Sequence, residues 1–240
     1  MGTDIHESYE VREGGRWVER VFQPPADFHR MTARERAAYF DHPARLTRNY
    51  ALFAILADVR NGVADVPGST FFPTIAPPRG LPADVSPKIR RASRDLGDGE
   101  EDEEWGYSHS WFTLRELLEY DWERRVVRLG VVNAAEYARF RREGRPGGWA
   151  EAIAGPNVVP VSHAEMDALL EREPHLVLLS WKEPGMGHPA ARDGRTYITS
   201  VRWEETCSEA VGPFVTRTLP FLRAQVDDPD DLRLVFWFSS

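Results

Sequence analysis

The chain opens on an alternating pattern of apolar and polar residues that predicts a β-strand over its first eleven positions. Side chains alternate between the two faces of a strand, so Ile5, Tyr9 and Val11 share one face, with Glu7 as the polar exception. A glycine turn signal follows, and the residues at 17–22 again have the composition of a strand. We therefore expect the fold to begin with a β-hairpin.

Four capping-box patterns predict where helices begin. In this pattern a hydroxyl side chain at the N-cap and a glutamate three positions later each accept a backbone N–H group that would otherwise lack a partner. The boxes are Thr32/Glu35, Thr113/Glu116, Ser162/Glu165 and Thr206/Glu209, and Asn133/Glu136 is a looser version. The helix that begins after Thr206 meets Pro213 and Pro220, which we expect to kink or split it.

Two further helices are expected in the first half of the chain. Apolar residues recur at three- and four-residue spacing over 50–60 and cover most of the helix circumference, which predicts a buried helix. Ser86-Pro87 resembles an N-cap followed by proline at the first helical position, so a short helix is expected within 84–94. Otherwise the prolines and the acidic run at 97–104 make 63–112 a long irregular region.

Later apolar runs predict further strands. They cover 125–132, 176–181, 197–204 and 232–238, and the last of them is apolar enough for the centre of a sheet. The expected fold class is α+β: the N-terminal hairpin joins the strands at 197–204 and 232–238 in a largely antiparallel sheet, packed by about six helices. No repeat or clean linker interrupts the sequence, which predicts a single domain over 1–240.

The composition restricts the classes of function. The chain has 240 residues, a net charge of −8 and a pI of about 5.5, a balance that argues against a general nucleic-acid binder and leaves open a local basic pocket. Cys207 is the only cysteine, which excludes an internal disulfide and a cysteine zinc site and fits a reducing cytoplasm. Since no apolar run is long enough to span a membrane and no signal peptide is evident, we expect a cytoplasmic protein without a membrane partner.

Asp4 and His6 form the first candidate site. They alternate with Ile5 and so lie on one face of the predicted strand, with Cα atoms roughly 6.5 Å apart. A carboxylate beside an imidazole is half of a site for a divalent metal such as Zn²⁺, Mn²⁺ or Mg²⁺, and further ligands must then come from elsewhere. The same pair can also form the polar face of an ordinary strand, and the residues alone leave both alternatives open.

His109 and Asp84 are the candidates for catalytic groups. His109 lies between hydroxyl and aromatic residues just before the helix capped by Thr113, where it could serve as a third metal ligand, as a general base or only as a surface histidine. Asp84 lies in a polar loop at 79–86, where it could pair with an arginine or join the metal. No motif indicates an organic cofactor.

Arginine, amide and aromatic residues supply the candidate substrate-binding set. Guanidinium groups match phosphate oxygens, and helix N-termini attract anions. The set comprises Arg48, Asn49, Tyr50, Arg79 and Trp111, of which the first three stand at the start of the buried helix. The structural alternative is that these arginines hold loops against the helix ends.

Several segments together resemble a family of bacteriophage and bacterial proteins, many of which open Met-Gly-Cys-Asp-Ile-His. The segments are residues 1–6, 48–61, 79–86 and 109–111 and the closing Phe236-Trp237-Phe238. Thr3 stands where many members have cysteine, so a thiol at this position cannot be required for the function. The resemblance implies a bacterial cytoplasmic setting and a phage accessory role, and it implies no particular activity.

These residues predict two classes of function. In the first, Asp4 and His6, helped by His109, hold a metal that activates water, and arginines steady the phosphate of a nucleotide or a related ligand. The protein is then a metal-dependent hydrolase. In the second, a non-catalytic accessory protein uses the arginines and the aromatic residues around Trp111 to bind and sequester a nucleotide or a protein partner. A purely structural role for all these motifs is the third alternative.

Overall fold

The α+β class is confirmed by a computed structural model, which describes residues 2–22, 29–62, 71–94, 106–178 and 190–239. Within these ranges there are eight α-helices and seven strands. In chain order they are β1 (Asp4–Glu13), β2 (Arg16–Glu19), α1 (Ala33–Phe40), α2 (Tyr50–Ala57), α3 (Pro87–Ala92), β3 (Tyr107–Thr113), α4 (Leu114–Glu119), β4 (Arg125–Asn133), α5 (Ala134–Glu143), β5 (Val158–Pro160), α6 (His163–Arg172), β6 (Thr196–Thr206), α7 (Cys207–Val211), α8 (Leu219–Arg223) and β7 (Leu232–Ser239).

The chain folds into two compact units. The first comprises the described parts of Met1–Val63, Phe71–Arg124 and Thr206–Ser240, and the second comprises those of Arg125–Glu205. The expectation of a single domain over 1–240 stays a prediction. No helix in the described ranges has the length and apolar character needed to cross a membrane.

The first unit is built on a four-stranded antiparallel sheet in the order β2-β1-β7-β3. The β1-β2 hairpin and the apolar strand β7 are present as the sequence predicts, and β7 lies between β1 and β3. The expectation that 197–204 joins this sheet is wrong, because that segment lies in β6 of a second sheet. An alternating pattern identifies a strand but does not specify its neighbours.

Strand β3 lies beside β7, although most of its residues belong to the region that the prolines and the acidic run predict to be irregular. The alternation is broken there, since the register against β7 shifts between Tyr107 and Ser110 and Ser108 has a positive φ of 52°. A bulge of this kind re-aims the side chains that follow it. Beyond the shift, Trp111 pairs directly with Val235, so both lie on the same face of the sheet.

The two faces of this sheet pack differently. One face packs on α2, in which residues 51–57 are all buried, as the apolar pattern predicts. Phe53 of this helix contacts Phe238 of β7, with ring centroids 5.0 Å apart. The opposite face carries the polar residues of β1 and is covered in part by α3, whose buried Ile89 belongs to one apolar cluster with Trp237.

The second unit contains a three-stranded sheet in the order β4-β6-β5, in which β5 and β6 are parallel. Its apolar core includes Tyr137 of α5 and Trp203 of β6. The predicted strand at 176–181 is wrong over its described part, since Pro174–Leu178 forms a 3₁₀-helix, and 179–181 lie outside the described residues. A short apolar run does not distinguish a strand from a helix.

The predicted helix starts are confirmed. The N-caps of the four capping boxes are Thr32, Thr113, Ser162 and Thr206. In each box the glutamate side chain also accepts the N-cap N–H group, and Asn133 caps α5 in the same way without the second bond. The segment after Thr206 is split, as its prolines predict, into α7, a π-helical turn at Phe214–Thr218, and α8.

Glu7, the polar exception on the apolar face of β1, is nearly buried. Its Oε1 atom lies 3.5 Å from Nη1 of Arg45, and the carboxylate accepts the backbone N–H of Leu46. Burial raises the pKa of Glu7 to about 7, because loss of hydration disfavours the charged carboxylate more than Arg45 favours it. The folded protein therefore holds a proton on Glu7 over a pH range in which the unfolded chain has released it.

We expect the substitution Glu7→Gln to make the free energy of unfolding less dependent on pH. The raised pKa stabilises the wild-type fold at acidic pH, and this contribution is lost as the pH rises through about 7. Glutamine is neutral throughout, so the variant should gain about 2 kcal/mol relative to wild type between pH 5 and pH 8. Urea unfolding at both pH values measures this difference. Parallel pH dependence of the two proteins would contradict it.

Candidate functional site

An open groove of about 950 Å³ lies on the polar face of the sheet in the first unit. Side chains from all four strands and from the segment preceding α3 line it. We call it the arginine–tryptophan groove after Arg12, Trp17, Arg79, Trp111 and Arg233, and Asp84 also belongs to its lining. Three of the residues predicted from the sequence, Arg79, Asp84 and Trp111, therefore come together here.

Arg233 lies at the base of the groove and is only 1% exposed. Its Nε atom donates to Oε2 of the fully buried Glu10 at 2.6 Å. The two residues are direct partners in the register of β1 and β7, so strand pairing itself brings the charges together. The Oε1 atom of Glu10 accepts the backbone N–H of Ser86 at 2.6 Å, which holds the start of α3 against the sheet.

Asp84 forms the second carboxylate contact of Arg233. Its Oδ1 atom accepts a hydrogen bond from Nη1 of Arg233 at 2.8 Å, and its side chain is 67% exposed. This hydrogen bond is the main reason that the pKa of Asp84 is lowered. Of the two alternatives that the sequence left open for Asp84, the structure thus shows pairing with an arginine.

Guanidinium and indole groups alternate across the groove. The guanidinium carbon of Arg233 lies 4.2 Å from the ring centroid of Trp17 and 5.5 Å from that of Trp111. Arg12 lies 4.8 Å from Trp17, and Arg79 lies 5.2 Å from Trp111. Each indole therefore contacts two cations, an arrangement that cation–π attraction stabilises and that fixes the orientation of both rings.

The three arginines differ in their carboxylate partners. Arg79 donates two hydrogen bonds to the carboxylate of Glu116, at 2.6 and 3.1 Å, and Arg233 is held by Glu10 and Asp84. Arg12 is exposed, and in the part of the chain that the structure describes no carboxylate accepts a hydrogen bond from it. Arg12 is thus the groove cation that can bind an external anion without first leaving a carboxylate.

Four of these residues were not predicted as site residues: Glu10, Arg12, Trp17 and Arg233. A signal for two of them is present in the sequence. Arg233 is the one charge inside the apolar run at 232–238, and Glu10 follows the same alternation as Asp4 and His6 on the predicted first strand. A charge inside an apolar central strand needs a buried partner of opposite sign. The carboxylates on the polar face of the predicted first strand, Glu10 among them, are candidates for that partner.

His6 and His109 lie on either side of Trp237, next to the groove on the same face of the sheet. Ring centroids are 5.7 Å apart for His6 and Trp237 and 5.8 Å apart for His109 and Trp237. The Nε2 atom of His6 is 2.9 Å from Oγ of Ser239, and burial is the main reason that the pKa of His6 is lowered. Because the indole separates the two imidazoles, His109 is not positioned beside His6.

The remaining predicted residues lie at the N-terminal ends of β1 and α2. Arg48 donates to Oδ1 of Asp4 from Nε at 3.0 Å and from Nη2 at 2.7 Å. Asn49 caps α2 by accepting the backbone N–H of Leu52, and Tyr50 packs against Phe53. The contacts of Arg48 and Asn49 match the structural alternative, in which these residues hold loops in place.

A metal site at Asp4 and His6 stays a prediction. Among the described residues, no group of three His, Cys, Asp or Glu side chains is arranged to hold a metal ion. The carboxylate of Asp4 is already engaged by Arg48, and the imidazole of His6 is engaged by Ser239.

Substitution of Glu10 should destabilise the first unit strongly. The change Glu10→Gln leaves the buried Arg233 with the exposed Asp84 as its remaining anionic partner, and breaking a buried ion pair in this way costs about 3 kcal/mol. The matched control is Asp41→Asn, which removes a similar 2.8 Å contact, to Arg217, from an aspartate that is 71% exposed. Urea unfolding should show a much smaller loss for this control, because water screens an exposed ion pair. Equal losses for the two variants would contradict the central role of Glu10.

Comparison of the chain with known proteins identifies no relative from which a function could be inferred. No family model, no curated protein and no solved structure matches the chain. The resemblance to bacteriophage and bacterial proteins rests on the quoted sequence segments, and the setting that it implies stays a prediction.

Proposed function

We propose that this protein binds a small phosphate-containing ligand, such as a nucleotide, in the arginine–tryptophan groove and does not turn it over. The observation that carries the proposal is the convergence of three guanidinium groups and two indole rings in one open groove. Guanidinium groups match phosphate oxygens in geometry and charge, and indole rings stack on aromatic bases. The two kinds of group together fit a ligand that carries both a phosphate and a base.

The size and charge of the groove favour a small ligand over a nucleic-acid chain. Its volume of about 950 Å³ lies within the usual range for small-molecule sites. Asp84 and Asp230 add negative charge to its lining, and the chain as a whole carries a net charge of −8. A long polyphosphate backbone would meet repulsion beyond the groove, whereas one phosphate group can contact Arg12 directly.

The state of Asp84 favours binding over hydrolysis. An ordinary aspartate is already ionised at neutral pH, and the hydrogen bond from Arg233 lowers the pKa of Asp84 further, so this carboxyl group is not suited to act as a general acid. The same shift makes it a weak proton acceptor, and its Oδ1 atom is already hydrogen-bonded to Arg233. Asp84 is therefore better suited to positioning groups within the groove than to moving protons.

We expect the wild-type protein to bind at least one member of a panel of AMP, ADP, ATP, GMP and GTP. Isothermal titration calorimetry gives the affinity, and tryptophan fluorescence reports contact with the indoles. The change Arg12→Ala should weaken binding by about tenfold or more, since a charge-assisted contact to phosphate contributes about 1.5–3 kcal/mol. The matched control Arg36→Ala removes an exposed arginine of α1 that does not line the groove and should leave the affinity unchanged.

The same samples distinguish binding from turnover. Ligand that is recovered intact after prolonged incubation supports capture, whereas released phosphate or nucleoside would support the hydrolase predicted from the sequence. If no nucleotide in the panel binds at millimolar concentration, or if both arginine variants bind as wild type does, the groove is not the site and the proposal fails.

A further inference from the structure

We infer that Asp84 acts as an internal competitor in the groove, occupying on Arg233 the position that the phosphate of the ligand takes, so that binding displaces its carboxylate. This inference rests on the proposed function and adds a specificity-determining residue to it. It makes Arg233, together with Arg12, part of the phosphate-binding position.

The two carboxylates on Arg233 are not equivalent. Glu10 is fully buried, and its second oxygen holds the backbone of Ser86, so displacing it from Arg233 would leave a buried carboxylate without its cation and disturb the bond to that N–H group. Asp84 has an exposed side chain that can turn into water when it leaves Arg233. An incoming phosphate can therefore replace Asp84 and cannot replace Glu10.

Arg233 retains hydrogen-bonding capacity beyond its two carboxylates. Its Nε donates to Glu10 and its Nη1 donates to Asp84, and its buried Nη2 has no hydrogen-bond partner in the described residues. A phosphate offers three terminal oxygens where Asp84 offers two, and it brings a larger negative charge. When a phosphate replaces the Asp84 carboxylate, Arg233 thus donates to a stronger hydrogen-bond acceptor and keeps its bond to Glu10.

The backbone around Asp84 is anchored on both sides, so displacement needs only a side-chain rotation. On one side, the Gly80 N–H donates to the His109 carbonyl at 2.9 Å. On the other side, the Ser86 N–H donates to Glu10, and the Val85 N–H donates to the Pro82 carbonyl at 3.1 Å. These bonds keep the loop closed over the sheet whether or not Asp84 contacts Arg233.

Arg12 contributes to the same exchange. Its positive charge is close enough to Asp84 to help lower the pKa of that carboxyl group, after the larger effects of Arg233. A phosphate that replaces Asp84 would therefore come under the influence of both guanidinium groups. A ligand with a doubly charged phosphate should therefore gain more binding free energy at this position than a ligand with a singly charged carboxylate.

Removal of the competing charge should strengthen phosphate binding. We expect Asp84→Asn and Asp84→Ala to bind AMP and inorganic phosphate about tenfold more tightly than wild type in calorimetric titration, since the anion no longer displaces a carboxylate. Asp41→Asn is the matched control, because it removes one negative charge from an exposed aspartate that also pairs with an arginine at 2.8 Å. Adenosine is the control ligand, and its affinity should be the same for all variants because it has no phosphate.

The outcomes separate this inference from the proposed function. If wild type binds AMP and neither Asp84 variant binds it more tightly than Asp41→Asn does, the competitor role is wrong and the groove remains a binding site. Weaker AMP binding by both variants, or an equal gain for adenosine, would also overturn it, because Asp84 would then contact another part of the ligand. If neither wild type nor any variant binds AMP or phosphate, the inference fails, whereas the proposed function fails with it only when no nucleotide of the panel binds either.

Discussion

The ion pair between Glu10 and Arg233 is the constraint on which the first unit depends. Both side chains are removed from water in the middle of the sheet, where an unpaired charge would be far more costly than any surface contact. The pair is satisfied because β1 and β7 align these residues in register and because Ser86 supplies a further N–H donor. One interaction thus links the pairing of β1 with β7, the start of α3 and the base of the groove.

The local structure was largely predictable from the sequence because its causes are local. Capping boxes satisfy backbone groups within four residues, and the three- and four-residue spacing of apolar residues identifies a buried helix such as α2. The assignment of strands to sheets was not predictable in the same way. The alternation at 197–204 identifies a strand without its neighbour, and the shift in register near Ser108 conceals β3 altogether.

The site was predictable only in part for the same reason. Arg79, Asp84 and Trp111 could be selected as polar and aromatic residues of a long loop, but their convergence depends on the pairing of β3 with β7. Trp17 belongs to a short edge strand whose sequence gives no hint of function, and it enters the groove because the hairpin places it beside Arg12. Residues at the N-terminal ends of β1 and α2 had stronger sequence signals, and the contacts of Arg48 and Asn49 there match the structural alternative.

The topology of the sheet also determines when the groove can form during folding. Glu10 and Arg233 are separated by 223 positions, and Asp84 and Arg233 are separated by 149. Contacts of such long range require closure of large loops and are favoured only after much of the chain has been ordered. During synthesis the β1-β2 hairpin emerges long before β7, so the carboxylate of Glu10 stays in water until Arg233 is available. Any capacity to bind an anion in the groove would therefore appear in the last steps of folding.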